Sequence, residues 1–409
     1  MADYVEVLDS IMGSAKSKHT IEWVDNNPNE RYIFVSPLLS EVESDGRLAN
    51  AVNNVTFECP SISEHETKSD HLLELLKNGS NIACTHSLYL SITDRHLELI
   101  ERMGYILIID EEVEVINCVE GYSKDDFEWL YDNHKIEVSD KDGMVTWVCN
   151  IEVGVEHKYY KLKKLCEYQA LYVTKRDSNM MITQLPIKII TKAKRVIILT
   201  YMFKGNILDC FLKLKEIEVR EFKDVSVTER DGDEIRKLIT LLPLDQNISK
   251  HSLSSTWYNE ANKEQLNEVA KYISNVFRRH KVPFDDAMYT LPKMRHVGSV
   301  SKNLVKPKGY YRKRVDNKWK YCWLATQTRA TNIYKHKWCL VHVYNRFPLI
   351  TVSSYLQDYG CPIDQQVFSK SELLQWIWRS RIRDMKPIVL AIGSKRMYKL
   401  FSDWLLNEI

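Results

Sequence analysis

The chain has 409 residues, 44% of them hydrophobic and 27% charged, a globular balance with material for two or three packed domains. Its net charge of +2 neither demands nor excludes a polyanionic partner, so local clusters have to decide. Nine scattered cysteines, with no C-x-x-C pair, argue against a disulfide framework or a zinc site; with no signal-like start and no run of about twenty apolar residues, they lead us to expect a soluble cytoplasmic protein with no membrane partner.

Taken in chain order, the first apolar run, 4–8, leads directly into Ser10-Ile-Met-Gly-Ser-Ala-Lys16-Ser17. A phosphate loop needs inward backbone N–H groups, a lysine for the β/γ-phosphates and a Ser/Thr hydroxyl for Mg²⁺, all at a strand-to-helix turn. Gly13, Ser14, Ala15, Lys16 and Ser17 are therefore the candidate nucleotide-binding residues, with Ala15 standing where glycine is usual. Further short strands are expected at 32–35, 81–84, 105–109 and 195–199, alternating with helical stretches as a parallel sheet requires. The run 105–109 delivers Asp110 and Glu111 at its C-terminal end, where open α/β sheets bind ligands. Asp110 is the candidate Mg²⁺ ligand beside Ser17, and Glu111 the candidate for polarising the attacking water.

Residues 118–190 break the rhythm and read as an inserted accessory subdomain, with strands at 144–149, 170–174 and 180–185 around a basic helix in HKYYKLKKL. Lys158, Lys161, Lys163 and Lys164 with Tyr159 and Tyr160 form a basic aromatic cluster there, either an accessory contact or a solvated helix face. After a polar hinge at 227–234 the pattern resumes, with helices at 234–241 and 263–279, strands at 321–325, 338–343 and 388–392, and a closing helix from Lys395. Segment 302–320 packs Lys302, Lys306, Lys308, Arg312, Lys313, Arg314, Lys318 and Lys320 around Tyr310, Tyr311 and Trp319. Cations neutralise phosphates and aromatic faces stack on bases, which suits a single-stranded nucleic acid. Near the end, Ser369-x-x-Glu372 reads as a capping box opening a helix. In that helix Gln375, Arg379 and Arg383 would fall on one exposed stripe.

Together these motifs resemble a superfamily 2 helicase of the DEAD/DEAH-like, phage-encoded kind, similar in plan to viral origin-binding helicases. Tyr32-Ile-Phe-Val-Ser36-Pro resembles the segment that touches the nucleic-acid backbone, and Thr85-His86-Ser-Leu the segment preceding the acidic strand. The stretch from Arg195 to Asn206 resembles the coupling segment, with Thr200 keeping its hydroxyl; Thr328-Arg-Ala-Thr331 resembles a contact with nucleic acid and nucleotide. The resemblance implies two RecA-like lobes with parallel sheets, at 1–230 and 231–409, and hydrolysis of ATP with Mg²⁺ between them. It implies movement along DNA, single-stranded or forked and with RNA not excluded, in phage replication or recombination beside other replication proteins. It further implies that Gln375, Arg379 and a second arginine, Arg381 or Arg383, serve catalysis, since the family's usual position for that arginine holds Ile382 here. The preference for ATP rests on the resemblance alone. Two other readings compete: a phage DNA-packaging ATPase, and a non-enzymatic replication factor whose nucleotide site has decayed.

Overall fold

The computed structural model describes residues 2–43, 45–62, 66–149, 154–175, 180–228, 231–298, 300–304, 312–328 and 333–408. The chain is mixed α/β and divides into two compact units. One comprises Met1–Ser10, Ala15–Val227 and Pro348–Asp364; the other comprises Ile11–Ser14, Thr228–Phe347 and Gln365–Ile409.

The first unit is built on a seven-stranded sheet. Its order runs Glu218–Glu221, Tyr4–Asp9, Arg195–Thr200, Ile106–Asp110, Tyr32–Ser36, Asn81–Thr85 and Phe57–Glu58. Every pairing in it is parallel. Parallel strands covered on both faces should be apolar throughout, and Tyr105, Ile106, Leu107, Ile108 and Ile109 are all buried. One face packs Val24, Tyr32, Phe34, Ile108, Ile197 and Phe222 into a core. All five strands expected in this half are present, each within a residue or so of its expected bounds.

Between Ile116 and Gln184, where an inserted subdomain is expected, the described residues form a small α/β layer with its own core. Strands Ile116–Cys118, Met181–Gln184 and Leu171–Val173 pair antiparallel, beside a hairpin of Ile136–Val138 with Val145–Trp147. Helices Lys124–Asp132 and Tyr160–Glu167 close it over Phe127, Leu130, Ile136, Val145, Leu162 and Met181. A helix from much later in the chain, Ile350–Asp358, completes this unit. Tyr355 Oη donates to the Asp142 carbonyl at 2.6 Å, the Tyr172 and Tyr355 rings meet edge-on at 6.1 Å, and Asp358 accepts from Lys175 N at 2.9 Å.

The second unit carries a four-stranded parallel sheet in the order Ile239–Leu241, Ile388–Ile392, Cys339–His342 and Ala287–Thr290. Helix Lys263–Arg279 has the expected bounds and supplies Val269, Ile273, Val276 and Phe277 to its core. Two exposed hairpins stand in the chain between strands Ala287–Thr290 and Cys339–His342: Met294–Val297 with Val300–Asn303, and Arg312–Val315 with Lys318–Tyr321.

Several expected elements are corrected. The helix expected over 234–241 spans Gly232–Leu238, because Ile239, Thr240 and Leu241 pair with Ile388, Val389 and Leu390 in the sheet; tertiary pairing overrides local propensity there. The strand expected at 321–325 ends at Tyr321, while Cys322 and Leu324 exchange backbone hydrogen bonds with Tyr289 at 3.0 and 2.9 Å. Ser369 and Glu372 do not open a helix. The helix begins at Gln365, and the Ser369 hydroxyl lies within 2.6 Å of the Gln365 carbonyl and 2.7 Å of the Arg346 carbonyl. Glu372 pairs with Arg346 at 3.3 Å in a buried contact. The helix stops at Ile377 and a 3-10 turn follows over Arg381–Asp384, so Gln375, Arg379 and Arg383 do not share one helical stripe.

The insertion's junction with Ile350–Asp358 tolerates no side chain at Gly143, whose φ is +72 and where a Cβ would fall 2.2 Å from Tyr359 Oη and 2.5 Å from the Val173 carbonyl. Gly143→Ala is expected to cost about 2–4 kcal/mol of stability through overpacking and an unfavourable backbone angle. Hydrogen exchange should show faster opening of residues 350–358; unchanged protection would mean that the junction does not depend on this close approach.

Candidate nucleotide and nucleic-acid sites

The phosphate-loop candidate sits where a nucleotide site needs it, between strand Tyr4–Asp9 and helix Lys16–Asp25. Two residues of the loop take left-handed backbone angles, Gly13 at φ 83 and Ala15 at φ 59. Ala15 is also the residue before the helix, and its methyl group offers no side-chain cap. The loop thus adopts the turn that glycine favours, at a cost of about 1 kcal/mol for the extra methyl group.

Lys16 and Ser17 open the helix. The Lys16 ammonium donates to the Ser10 carbonyl, and Ser17 Oγ donates to Asp110, 2.8 Å from Oδ1 and 3.0 Å from Oδ2. Two motifs 93 residues apart are therefore in hydrogen-bond contact. The sheet explains why. Strand Ile106–Asp110 is separated from Tyr4–Asp9 only by Arg195–Thr200, so the C-terminal ends of all three strands open onto one edge.

The acidic turn is held from several sides. His86 Nε2 lies 3.0 Å from the Asp110 carbonyl, and Arg47 Nη2 lies 3.5 Å from Asp110 Oδ2. Burial pushes the Asp110 carboxyl up to about 6, helped by the charge of Glu111, while Arg47, the Ser17 hydroxyl and Lys16 pull the other way. Glu111 takes a left-handed angle, φ 66, and its N–H donates to the Leu199 carbonyl at 3.0 Å. Thr200, the coupling candidate, donates its hydroxyl to Glu112 Oε1 at 2.9 Å. Asp9 accepts the Met202 and Phe203 amides at 2.8 and 3.0 Å, tying the first strand to the segment after Thr200. Sequence reasoning missed Arg47, Glu112 and Asp9 as parts of this site. Asp9 could have been found as an acid closing a strand; Arg47 carries no local signal.

Of the nucleic-acid candidates in this unit, Ser36 is buried, and its hydroxyl has no hydrogen-bond partner among the described residues. Thr85 caps the short helix after its strand by accepting from Leu88 N, and His86 is the Asp110 partner already described. In the second unit, Thr331, Lys308, Tyr310 and Tyr311 lie outside the described residues. Arg312, Lys313 and Arg314 form one strand of an exposed hairpin. Register places Arg312 opposite Tyr321 and Arg314 opposite Trp319, with Lys313 opposite Lys320. One face of the hairpin is therefore cationic and aromatic and the other cationic with Val315. The Arg312 guanidinium lies 4.2 Å from the centre of the Trp319 ring. In the insertion, by contrast, Lys158 pairs with Asp126, and Lys163 and Lys164 with Glu167, so much of that cluster's charge is satisfied locally.

Among the catalytic candidates of the second unit, Gln375 donates to Ser371 Oγ at 3.1 Å. Arg379 is buried rather than exposed, at 5%, and its Nε donates to the Thr328 carbonyl at 3.0 Å. Arg381 Nε donates to the Pro387 carbonyl, and Arg383 is half-buried in the 3-10 turn.

A carboxyl whose pKa is raised by folding binds its proton more tightly in the folded than in the unfolded chain. It therefore stabilises the fold at low pH, and that contribution is lost as pH rises from about 4 through about 6. Asp110→Asn, which removes the buried charge, is expected to raise stability at pH 7 by on the order of 2–3 kcal/mol. It should also flatten the melting temperature's pH dependence between about 4 and 6. A variant less stable than the parent at pH 7, with its pH profile unchanged, would show that the carboxylate is not destabilising there.

Comparison with known proteins agrees with this architecture. Residues 233–405 match the family model described as the YonV C-terminal Rossmann-like domain. The chain's backbone resembles the solved structure XPD_APO with a TM-score of 0.54 at 13% sequence identity, covering 99% of this chain and 95% of that one. The fold is thus that of the XPD-like, two-lobed RecA-like proteins. The SPbeta prophage-derived protein YonV of Bacillus subtilis (strain 168) is 30% identical over 432 aligned positions, covering 99% of both chains. With a relative matched over nearly its whole length and the C-terminal model matched in place, the chain belongs to the YonV family.

Proposed function

We propose that the chain is an ATP-dependent helicase or translocase that moves along DNA, single-stranded or forked. The observation that carries this reading is the contact between Ser17 Oγ and the Asp110 carboxylate. It unites a phosphate-loop hydroxyl and an acidic strand end at the edge of a parallel sheet, where α/β proteins bind ligands. The donor set suits a hard divalent cation: a hydroxyl and carboxylates, with a lysine beside them for phosphate charge. Among the described residues no cluster of three or more His, Cys, Asp or Glu could hold a metal, which fits Mg²⁺ taking its remaining ligands from phosphates and water.

In this reading Ser17 and Asp110 hold Mg²⁺, which supplies charge neutralisation at the transferring phosphoryl group. Lys16 leaves the Ser10 carbonyl for the phosphates, and the uncapped start of the Lys16–Asp25 helix adds its N–H groups. Glu111 orients the attacking water. Thr200 relays the state of the acidic turn through Glu112 into the segment that Asp9 holds. Arg379, Arg381 and Arg383, with Gln375, are the candidates for meeting transition-state charge. The Arg312–Tyr321 hairpin grips the nucleic acid by phosphate neutralisation and base stacking. The XPD-like fold supports a motor of this class and the prophage relative supports a phage origin; phage DNA replication or recombination in the host cytoplasm is the setting proposed for it.

An ATPase assay with and without single-stranded DNA tests the reading. Hydrolysis should be stimulated by DNA and fall by at least about 10²-fold in Lys16→Ala and in Glu111→Gln, with Glu111→Gln still binding nucleotide. Parent-like turnover in both variants would sink the assignment of the site. Lys313→Ala with Arg314→Ala should flatten the salt dependence of DNA binding by about two phosphate contacts in slope; an unchanged slope would return the hairpin to an ordinary solvated surface.

A further inference from the structure

Arg47 is the cation beside the acidic turn that the motifs do not account for. It opens the short helix Arg47–Ala51, in the connection that leaves the C-terminal end of strand Tyr32–Ser36 through helix Leu39–Val42. Two devices set its position. Gly46, just before it, allows a turn in which a Cβ would fall 2.8 Å from the Glu43 carbonyl and 2.9 Å from the Ser40 carbonyl. Glu41, in the preceding helix, pairs with Arg47 Nε. Nη2 of the same guanidinium then reaches Asp110 Oδ2 at 3.5 Å, with the arginine side chain still 42% exposed.

Resting on the nucleotide site proposed above, we propose that Arg47 is its second phosphate-binding cation, released from Asp110 when Mg²⁺ arrives and captured by the terminal phosphate of a nucleoside triphosphate. The contact with Asp110 is long and partly exposed, the kind of ion pair worth little and broken easily. Were Asp110 to hold Mg²⁺, its oxygens would be occupied, and Arg47, still paired with Glu41, would be left to meet a phosphate. The guanidinium's planar fork matches a phosphate better than a lysine ammonium does. Glu41 holds the guanidinium at Nε, so its Nη groups have to travel only a short distance. Two cations stand at this edge, Lys16 on the Ser10 carbonyl and Arg47 on the Glu41 and Asp110 carboxylates, against the acids Asp110, Glu111 and Glu112. A triphosphate with its metal recruits both.

The test is equilibrium binding by the full chain of Mg²⁺-ADP and of a Mg²⁺-imidotriphosphate analogue of ATP, with no hydrolysis needed. Arg47→Gln should weaken the triphosphate about tenfold, the range of one charge-assisted contact, and ADP less than about twofold. Arg47→Lys, retaining charge without the fork, should fall between. Melting of the nucleotide-free variants within about 2 °C of the parent would show that the fold is intact. If Arg47→Gln weakens both nucleotides equally, or neither, Arg47 is a structural tether of Glu41 and the proposal is overturned. If the parent chain binds neither nucleotide, the nucleotide reading fails and takes this one with it. Lys16→Ala separates the two cases, since it should lose both ligands whatever Arg47 does.

Discussion

The first unit depends on a constraint of strand order. The strands that end at Asp9, Thr200 and Asp110 are neighbours in one parallel sheet, and parallel strands put all their C-terminal ends on the same edge. Residues distant in sequence meet there without any loop having to reach far. The hydrogen bond from Ser17 to Asp110, the one from Thr200 to Glu112 and the Asp9 clamp on residues 202 and 203 are three consequences of that one arrangement. Burial at that edge, with the charge of Glu111 beside it, is what raises the pKa of the Asp110 carboxyl.

What could be read from the sequence follows from where the information lies. Buried parallel strands are written as unbroken apolar runs, and 105–109 is one, so the main sheet and its acidic end were legible. The strand Ala287–Thr290 was not: its four residues AMYT are too few to distinguish from the turn before them, and it is a strand because Cys339–His342 pairs with it. The Ser369-x-x-Glu372 pattern misled for a related reason. A hydroxyl and a carboxylate three residues apart can cap a helix, but here both are spent on Arg346 and its neighbours. Local patterns of that kind are satisfied equally well by a tertiary partner.

The candidate site was legible in the same uneven way. Lys16, Ser17 and Asp110 lie in motifs whose spacing reflects a mechanism, and the fold brings the hydroxyl and the carboxylate together. The conformation of Ala15 shows that an alanine at a glycine position need not change the turn, only its cost. Arg47 was invisible because its importance is purely spatial, coming from a glycine turn and a glutamate six residues earlier. Arg379 was misjudged in exposure, since a helix assumed to continue through it ends two residues before and turns its side chain inward to the Thr328 carbonyl.

The helix Ile350–Asp358 bears on how the molecule is made. A chain is synthesised from its N-terminus, and domains commonly fold as they emerge. The first unit cannot do so in full, because its last segment ends at Asp364 of 409 residues. Until then the insertion's tyrosine and backbone acceptors, Tyr172, the Asp142 carbonyl and the Val173 carbonyl, wait without their partners. Most of the second unit's sequence has to be translated while the first is still unfinished. Order of synthesis and order of completion therefore differ in this protein, and a nascent chain released early would leave the ribosome with an unclosed surface on its N-terminal half.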